Sequence, residues 1–319
     1  MNRNIKIYFA PFQGITNQTF RHIYAQFFEG IDAFYTPYFT GIKNKDALSP
    51  RYLAELKNQT ENKSEVIPQI LSKDADEIIY FAQQCKQLGF RELNWNLGCP
   101  HPQVANKKRG SGLLPFPDMI QAILKDIMAQ IDLKFSIKCR LGYEDNEELK
   151  ALIPVFNSFA ISELIIHART GKQMYSGEAD WEAFAQIAPQ LTMPVVYNGD
   201  ITSSEKFAAF SKRFVNFNRL MLGRGILADP FLPARIKGLE LPIDKKAHLH
   251  RFMDNLYYAY RKAYMDRLTL LGVLKEYWSY LAFAFNEPHK IMRKLKKCKS
   301  FDAYEDAVFS IFNDDDLAI

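Results

Sequence analysis

Eight short apolar or β-branched runs recur through the first 225 or so residues, and this repetition limits the fold more than any other feature of the chain. The runs are IKIYFA (5–10), DAFYTP (32–37), VIPQIL (66–71), ELNWNL (92–97), KFSIKCR (134–140), ELIIH (163–167), PVVYN (194–198) and RLMLG (219–223). Segments with helical periodicity lie between them. In DADEIIYFAQQCKQLG (74–89), Ile78, Ile79, Ala82 and Cys85 share one stripe and Gly89 supplies a stop signal. PDMIQAILKDIMAQI (117–131) and WEAFAQIAPQL (181–191) read the same way. Strand–helix alternation repeated eight times predicts a (β/α)8 TIM barrel in both count and length. A doubly wound sheet would want a GxGxxG turn after its first strand, where this chain has APFQGITN.

The strand signal stops after about residue 240, and the rest reads as helices. A barrel over 1–238 followed by a small all-helical domain over 239–319 is therefore expected, with the proline-bearing stretch 227–244 as connector. The net charge of +5 is unevenly spread. Between Arg235 and Ser300 there are fifteen Lys/Arg against six Asp/Glu, whereas the tail from Phe301 has six acids and no base. Such a run is ordinarily a solvated helix face, but the one-sided sign of HKIMRKLKKCKS (289–300) points to a polyanion. No stretch has the roughly 18–20 uninterrupted apolar residues of a membrane span. The N-terminus lacks the apolar length and cleavage site of a secretory leader. Cysteines 85, 99, 139 and 298 show no paired spacing, so neither a disulfide framework nor a metal site is expected. These features suggest a cytoplasmic protein with no membrane association and no obligate protein partner, hence a monomer.

In barrel enzymes the chemistry sits at the C-terminal ends of the strands. Seven of the eight runs end in, or carry, polar or glycine-rich residues. The first leads into Pro11-Phe12-Gln13-Gly14 and the third carries Gln69. The fourth ends in Asn96-Leu97-Gly98-Cys99-Pro100. The fifth carries Lys138 and Arg140, two apart and so on one face, with Cys139 on the other. The sixth ends in His167 with Arg169 just beyond; the last two end in Asn198-Gly199-Asp200 and Gly223-Arg224-Gly225. The NGD and GRG turns fall at the usual phosphate corner of such barrels. A lysine inside an apolar alternation needs an anionic partner. Cys99, held between glycine and proline, is either a packing residue or a reactive one, while Cys85 and Cys139 read as core and Cys298 as incidental.

Several stretches resemble, in order and spacing, the motifs of the tRNA-dihydrouridine synthase family, in its FMN-dependent bacterial form. They are APFQGITNQTFR, NWNLGCPHPQVANKKRGSGLL, SIKCRLG, IIHARTGKQMYSGEADW, VVYNGDI and LMLGRGILADPF. The resemblance runs from about residue 8 to 231 and is weaker beyond. It implies reduction of the C5–C6 bond of a tRNA uridine, with FMN as cofactor and NADPH as reductant. It places FMN contacts at Pro11, Phe12, Gln13, Gln69, Lys138, His167, Asn198, Gly199, Asp200, Gly223 and Arg224, and the catalytic cysteine at Cys99. Uracil-side roles fall on Asn96, Arg140 and Tyr175. Lys107, Lys108 and Arg109, in the loop after Cys99, would clamp the RNA backbone, with further phosphate contacts from the basic helical domain. Hydride would reach C6 from the flavin N5. A thiol with an ordinary pKa of about 8.5 is mostly protonated at neutral pH, so Cys99 suits donation of the proton to C5. The target base would have to leave its stack to reach the barrel mouth.

Two sites depart from the family pattern: Phe12-Gln13 stands where Met-Glu or Met-Asp is usual, and Asn94 where aspartate is common. Two other readings are open. A barrel lyase or isomerase could use Lys138 as a Schiff base, and a silent RNA-binding barrel would need no acid.

Overall fold

In the computed structural model, which describes residues 4–42, 47–57 and 64–319, nine parallel strands form one sheet. They are β1 (Lys6–Phe9), β2 (Ala33–Tyr35), β3 (Glu65–Ile67), β4 (Gln69–Ile70), β5 (Glu92–Leu97), β6 (Lys134–Gly142), β7 (Leu164–Thr170), β8 (Val195–Asn198) and β9 (Arg219–Leu222). The order β3-β2-β1-β9-β8-β7-β6-β5-β4 sets the first strand beside the last. The run 66–71, expected as one strand, is two. Pro68 has no N–H for the ladder, so β3 ends by pairing with β2 while β4 pairs with β5. Three bonds close the break: Asn94 N donates to Pro68 O (2.9 Å), Gln69 N to Thr36 Oγ1 (3.0 Å) and Phe39 N to Gln69 O (2.8 Å). The result is a (β/α)8 barrel with its third strand interrupted.

The period of two sorts the side chains. Outward residues such as Ile7, Phe9, Leu93, Trp95, Ile137, Cys139, Leu164 and Ile166 pack under the surrounding helices in one extensive core. Inward residues Tyr8, Ala33, Tyr35, Ile67, Ile165, Val196 and Met221 fill the barrel itself. The barrel is thus plugged by apolar side chains, and the inward polar residues of β5, β6 and β7 lie toward its C-terminal mouth.

Four helices follow the barrel: Lys245–Ala263, Leu270–Leu281, Pro288–Lys297 and Phe301–Asp314. They join the barrel's core through aromatic contacts. Phe252 meets Phe28 at 4.9 Å, and Tyr277 meets Phe20 edge-on at 5.2 Å. Each such ring buried is worth roughly 1.5–3 kcal/mol. The Leu270–Leu281 helix passes over the rim, with the Tyr280 ring 5.7 Å from Phe12. The Pro288–Lys297 helix buries only Ile291 and Leu295, which leaves its basic residues outside. Among the described residues no helix is long and apolar enough to cross a membrane.

Candidate active site

Cys99 is half-buried at the mouth, just past β5, and a chain of side-chain amides fixes the loop that carries it. Asn94 Nδ2 donates to Ser136 Oγ (2.9 Å), and Asn94 Oδ1 accepts from Gln69 Nε2 (2.7 Å). Gln69 Oε1 accepts from Asn96 Nδ2 (2.7 Å). Asn96 Oδ1 then accepts from the backbone N–H groups of Gly98 (3.0 Å) and Cys99 (2.9 Å). Gln69 and Asn94 are fully buried, so a broken link would strand a polar group at a cost of about 1–3 kcal/mol. On the other side, Ser111 donates to Cys99 O from both N and Oγ (3.1 Å each). A Cβ on Gly110 would stand 2.6 Å from Cys99 O, so only glycine lets this loop close on the cysteine.

Arg140, 1% exposed, is a clamp. Its Nε donates to Gly98 O (3.0 Å), and its Nη1 donates to Thr170 O and Met174 O (2.7 Å each). It therefore ties the cysteine loop to the loop after β7. Tyr175 lies on that second loop, half exposed, its ring 5.4 Å from the Arg140 guanidinium, 4.8 Å from that of Arg224 and 5.9 Å from the His167 ring. Asn96 Oδ1 and the Nε and Nη1 of Arg140 are thus spent on holding backbone.

Asp200 organises the opposite corner. Arg169, 1% exposed, binds it through Nη1 (2.9 Å) and Nη2 (2.5 Å), and Arg224 Nη2 adds a third bond (2.8 Å). These guanidinium groups hold the Asp200 carboxyl below its usual range against the opposing effect of burial. Arg169 Nη1 also lies 3.3 Å from His167 Nε2. A guanidinium only donates, so Nε2 accepts and the proton of the neutral ring is on Nδ1. Burial, then the charges of Arg140, Lys138, Arg169 and Arg224, push the imidazole well below its ordinary pKa and keep it neutral. Asn198 Nδ2 donates to Met221 O (2.7 Å), joining β8 to β9. The glycine turns pack against their surroundings: a Cβ on Gly199 would stand 2.0 Å from Tyr197 Oη, and one on Gly225 2.6 Å from Ile201 O.

Between these corners a cleft is lined by Pro11, Phe12, Lys138, His167, Tyr175, Asn198, Gly199, Thr202, Gly223 and Arg224, among others. Lys138 has no hydrogen-bond or ion-pair partner among the described residues. Burial first, then Arg140, lowers its pKa to about 8. Gln13, Gln69 and Asp200 do not line this cleft; Gln13 Nε2 instead donates to Tyr38 O (3.3 Å). In the loop after Cys99, Lys108 Nζ sits 4.1 Å above the Phe116 ring, and Arg109 Nη1 donates to Thr40 Oγ1 (3.4 Å). Lys107 projects into solvent. Sequence reasoning missed Tyr38, Thr202 and Tyr280. The first two follow their strands by a few residues without a recognisable pattern, and Tyr280 arrives from a distant helix.

A family model described as dihydrouridine synthase matches residues 8–309. The chain belongs to the dihydrouridine synthase family. It is 31% identical over 235 residues to tRNA-dihydrouridine synthase B of Pasteurella multocida, covering 71% of this chain and 67% of that protein. It is 29% identical over 241 residues to the tRNA-dihydrouridine(16) synthase of Neisseria meningitidis serogroup B, covering 74% and 72% respectively. The old yellow enzyme homologue from Zymomonas mobilis shares the fold of this dihydrouridine synthase family member, with a TM-score of 0.53 at 13% identity over 76% of this chain and 91% of that one.

Proposed function

We propose that this protein reduces a uridine of tRNA to 5,6-dihydrouridine, with FMN as cofactor, NADPH as reductant and Cys99 as proton donor. The observation that carries the reading is the rigid presentation of Cys99 across the mouth from a cationic, glycine-lined corner, in a chain of this family. The residues fit the cofactor. The turns at Gly199 and Gly225 are too closely packed for side chains, Arg224 is partly exposed beside them, and Lys138 lacks an anion. Phosphate suits the corner of Gly199, Gly223 and Arg224, and the flavin's polar edge suits Lys138. When bound, FMN supplies the hydride that goes to C6 of the uracil.

The chain's own residues do the rest. Asn96 and Arg140 hold the cysteine loop, so that the Cys99 thiol meets C5 without first ordering its backbone. Neutral His167 serves as a hydrogen-bond partner rather than a charge. The barrel, 1–238, carries the chemistry, and 239–319 grips RNA phosphates through the Pro288–Lys297 helix. Lys107 is the member of the 107–109 trio best placed for the same task. We assign the protein to the cytoplasm as a monomer.

The test is Cys99→Ala in flavin-loaded protein, with dihydrouridine in tRNA counted by nucleoside mass spectrometry. The variant should keep its yellow cofactor and its tRNA affinity while product formation drops at least a hundredfold, the lower range for a lost general acid. Undiminished product would overturn the acid assignment.

A further inference from the structure

We infer that the large cleft beside the flavin site holds the adenosine half of the dinucleotide reductant, with its base against the rings of Tyr280 and Phe283. The inference rests on the reading of NADPH as reductant and adds to it the subsite that grips the reductant's unreactive end.

The cleft has a volume of about 910 Å³ and lies between the loops that follow β7, β8 and β9 and the end of the Leu270–Leu281 helix. Its size fits a small-molecule site, for which roughly 300–1,000 Å³ is usual. It shares Tyr175, Thr202 and Arg224 with the flavin cleft, so the two adjoin. Phe12 lines the flavin cleft and meets the Tyr280 ring at 5.7 Å, edge-on. Tyr280 and Phe283, three residues apart, lie on one face of the helix and of the 3-10 turn Ala282–Ala284 that continues it, and both line the larger cleft. A line of rings thus leads outward from the flavin. Phe283 is 56% exposed and stands outside the apolar core, although Ala282 and Ala284 on either side of it are fully buried. The backbone is fixed while the ring is open to a ligand.

Position and charge select the occupant. No residue of the Cys99 loop, 98–109, lines this cleft. The target uridine has to meet Cys99, whereas the reductant has to meet only the flavin. The cleft's four basic residues are matched by four acidic ones, which does not suit a run of RNA phosphates. A flat base on one short phosphate linker suits it better. Aromatic faces stack on any base. Lys206, whose ion pair with Glu178 is loose (3.9 Å) and exposed, is the cation available to the pyrophosphate. Burial first, then Tyr175 and Glu276, raises the Tyr280 pKa above that of an ordinary phenol, so its ring stays neutral. The hydride leaves from the nicotinamide, at the flavin. The cleft therefore contributes to binding and leaves the transfer step alone.

The experiment compares flavin-loaded wild type, Phe283→Ala and Phe283→Tyr. Bleaching of the flavin by NADPH is followed by stopped flow without tRNA, and tRNA affinity is measured separately. The 2′-phosphate of ADP-ribose, which is the reductant without its nicotinamide, is titrated by calorimetry. Phe283→Ala should raise both the NADPH concentration for half-maximal bleaching and the Kd of this fragment about tenfold, as one lost base-stacking contact requires. The limiting rate of bleaching and the tRNA affinity should hold. Phe283→Tyr keeps the ring and should match wild type. Reduced nicotinamide mononucleotide, which lacks the adenosine half, should bleach wild type and Phe283→Ala alike. An NADPH dependence equal in wild type and Phe283→Ala, or a loss confined to tRNA affinity, overturns the subsite and leaves NADPH standing as reductant. A wild-type flavin that NADPH does not bleach overturns that reading, and the subsite with it.

Discussion

Replacing Lys138 by methionine should stabilise the ligand-free protein while weakening its hold on FMN, and the pH dependence of the gain identifies its origin. The ammonium lies in the mouth without a partner among the described residues, and its pKa falls from 10.5 to about 8, chiefly through burial. At about 1.36 kcal/mol per pK unit this gap is worth roughly 3 kcal/mol, which we reduce to about 1–3 kcal/mol because solvent reaches the mouth. Below pH 8 the lysine is charged in both folded and unfolded chains, so the full penalty applies. Between about 8 and 10.5 the unfolded chain binds the extra proton, so wild-type stability rises with pH and the penalty fades. Methionine keeps the stem's volume and has no such penalty. For a chain of this size about 2 °C accompanies each kcal/mol, so the variant's Tm should exceed that of wild type by about 2–5 °C at pH 7, and by less at pH 9.5. Thermal unfolding of the flavin-free proteins at several pH values, with FMN titrated by fluorescence at pH 7, measures both effects. A variant no more stable than wild type at pH 7, a gain that does not shrink above pH 8, or an unchanged FMN affinity would each refute the argument.

Asp200→Asn removes the charge that pairs with both Arg169 and Arg224. Since Arg169 is 1% exposed and keeps its bonds to Ser176 O and Gly177 O, the loss should be about 2–4 kcal/mol, with poorer flavin retention. Calorimetry and the flavin-to-protein absorbance ratio read these two effects, and an unchanged Tm would show that Asp200 is not the hub of the corner. Arg293 and Lys297 line a basic groove of about 610 Å³ and have no carboxylate partner among the described residues, whereas Lys290 pairs with Glu287 and Asp315. Changing both to glutamine should lower the slope of log Kd for tRNA against log salt by about 1.5, as two lost phosphate contacts require. A slope equal to wild type's would place the RNA elsewhere.

Strand alternation made most of the mouth legible in the sequence. Lys138 and Arg140 are two apart, as are His167 and Arg169, so their shared inward face followed from the pleat alone, and Cys139 fell into the outer core by the same count. What alternation does not carry is how a polar side chain spends its bonds. Asn96 and Arg140 read equally well as groups waiting for substrate; only the fold shows them engaged with Gln69, Gly98, Cys99, Thr170 and Met174. Tyr38 was invisible for another reason. It lies in a loop, between an apolar run and a stretch without periodicity, and its carbonyl meets Gln13 from another loop. The break at Pro68 was readable from the missing N–H, yet its effect depends on β2 and β5 standing on either side of it.

The two departures from the family pattern also acquire a physical sense. At position 13 the side chain faces the Tyr38 carbonyl, an acceptor, to which glutamine can donate and an ionised carboxylate cannot. At position 94 asparagine donates to Ser136 Oγ while accepting from Gln69 Nε2. A carboxylate there could accept from both, since a serine hydroxyl can turn to donate, but it would bury a charge. Each amide keeps the bonds and removes a negative charge from the vicinity of Cys99 and Lys138. The mouth is left with Lys138, Arg140, Arg169 and Arg224 against Asp200, a positive balance that suits anionic ligands, as the proposed function requires.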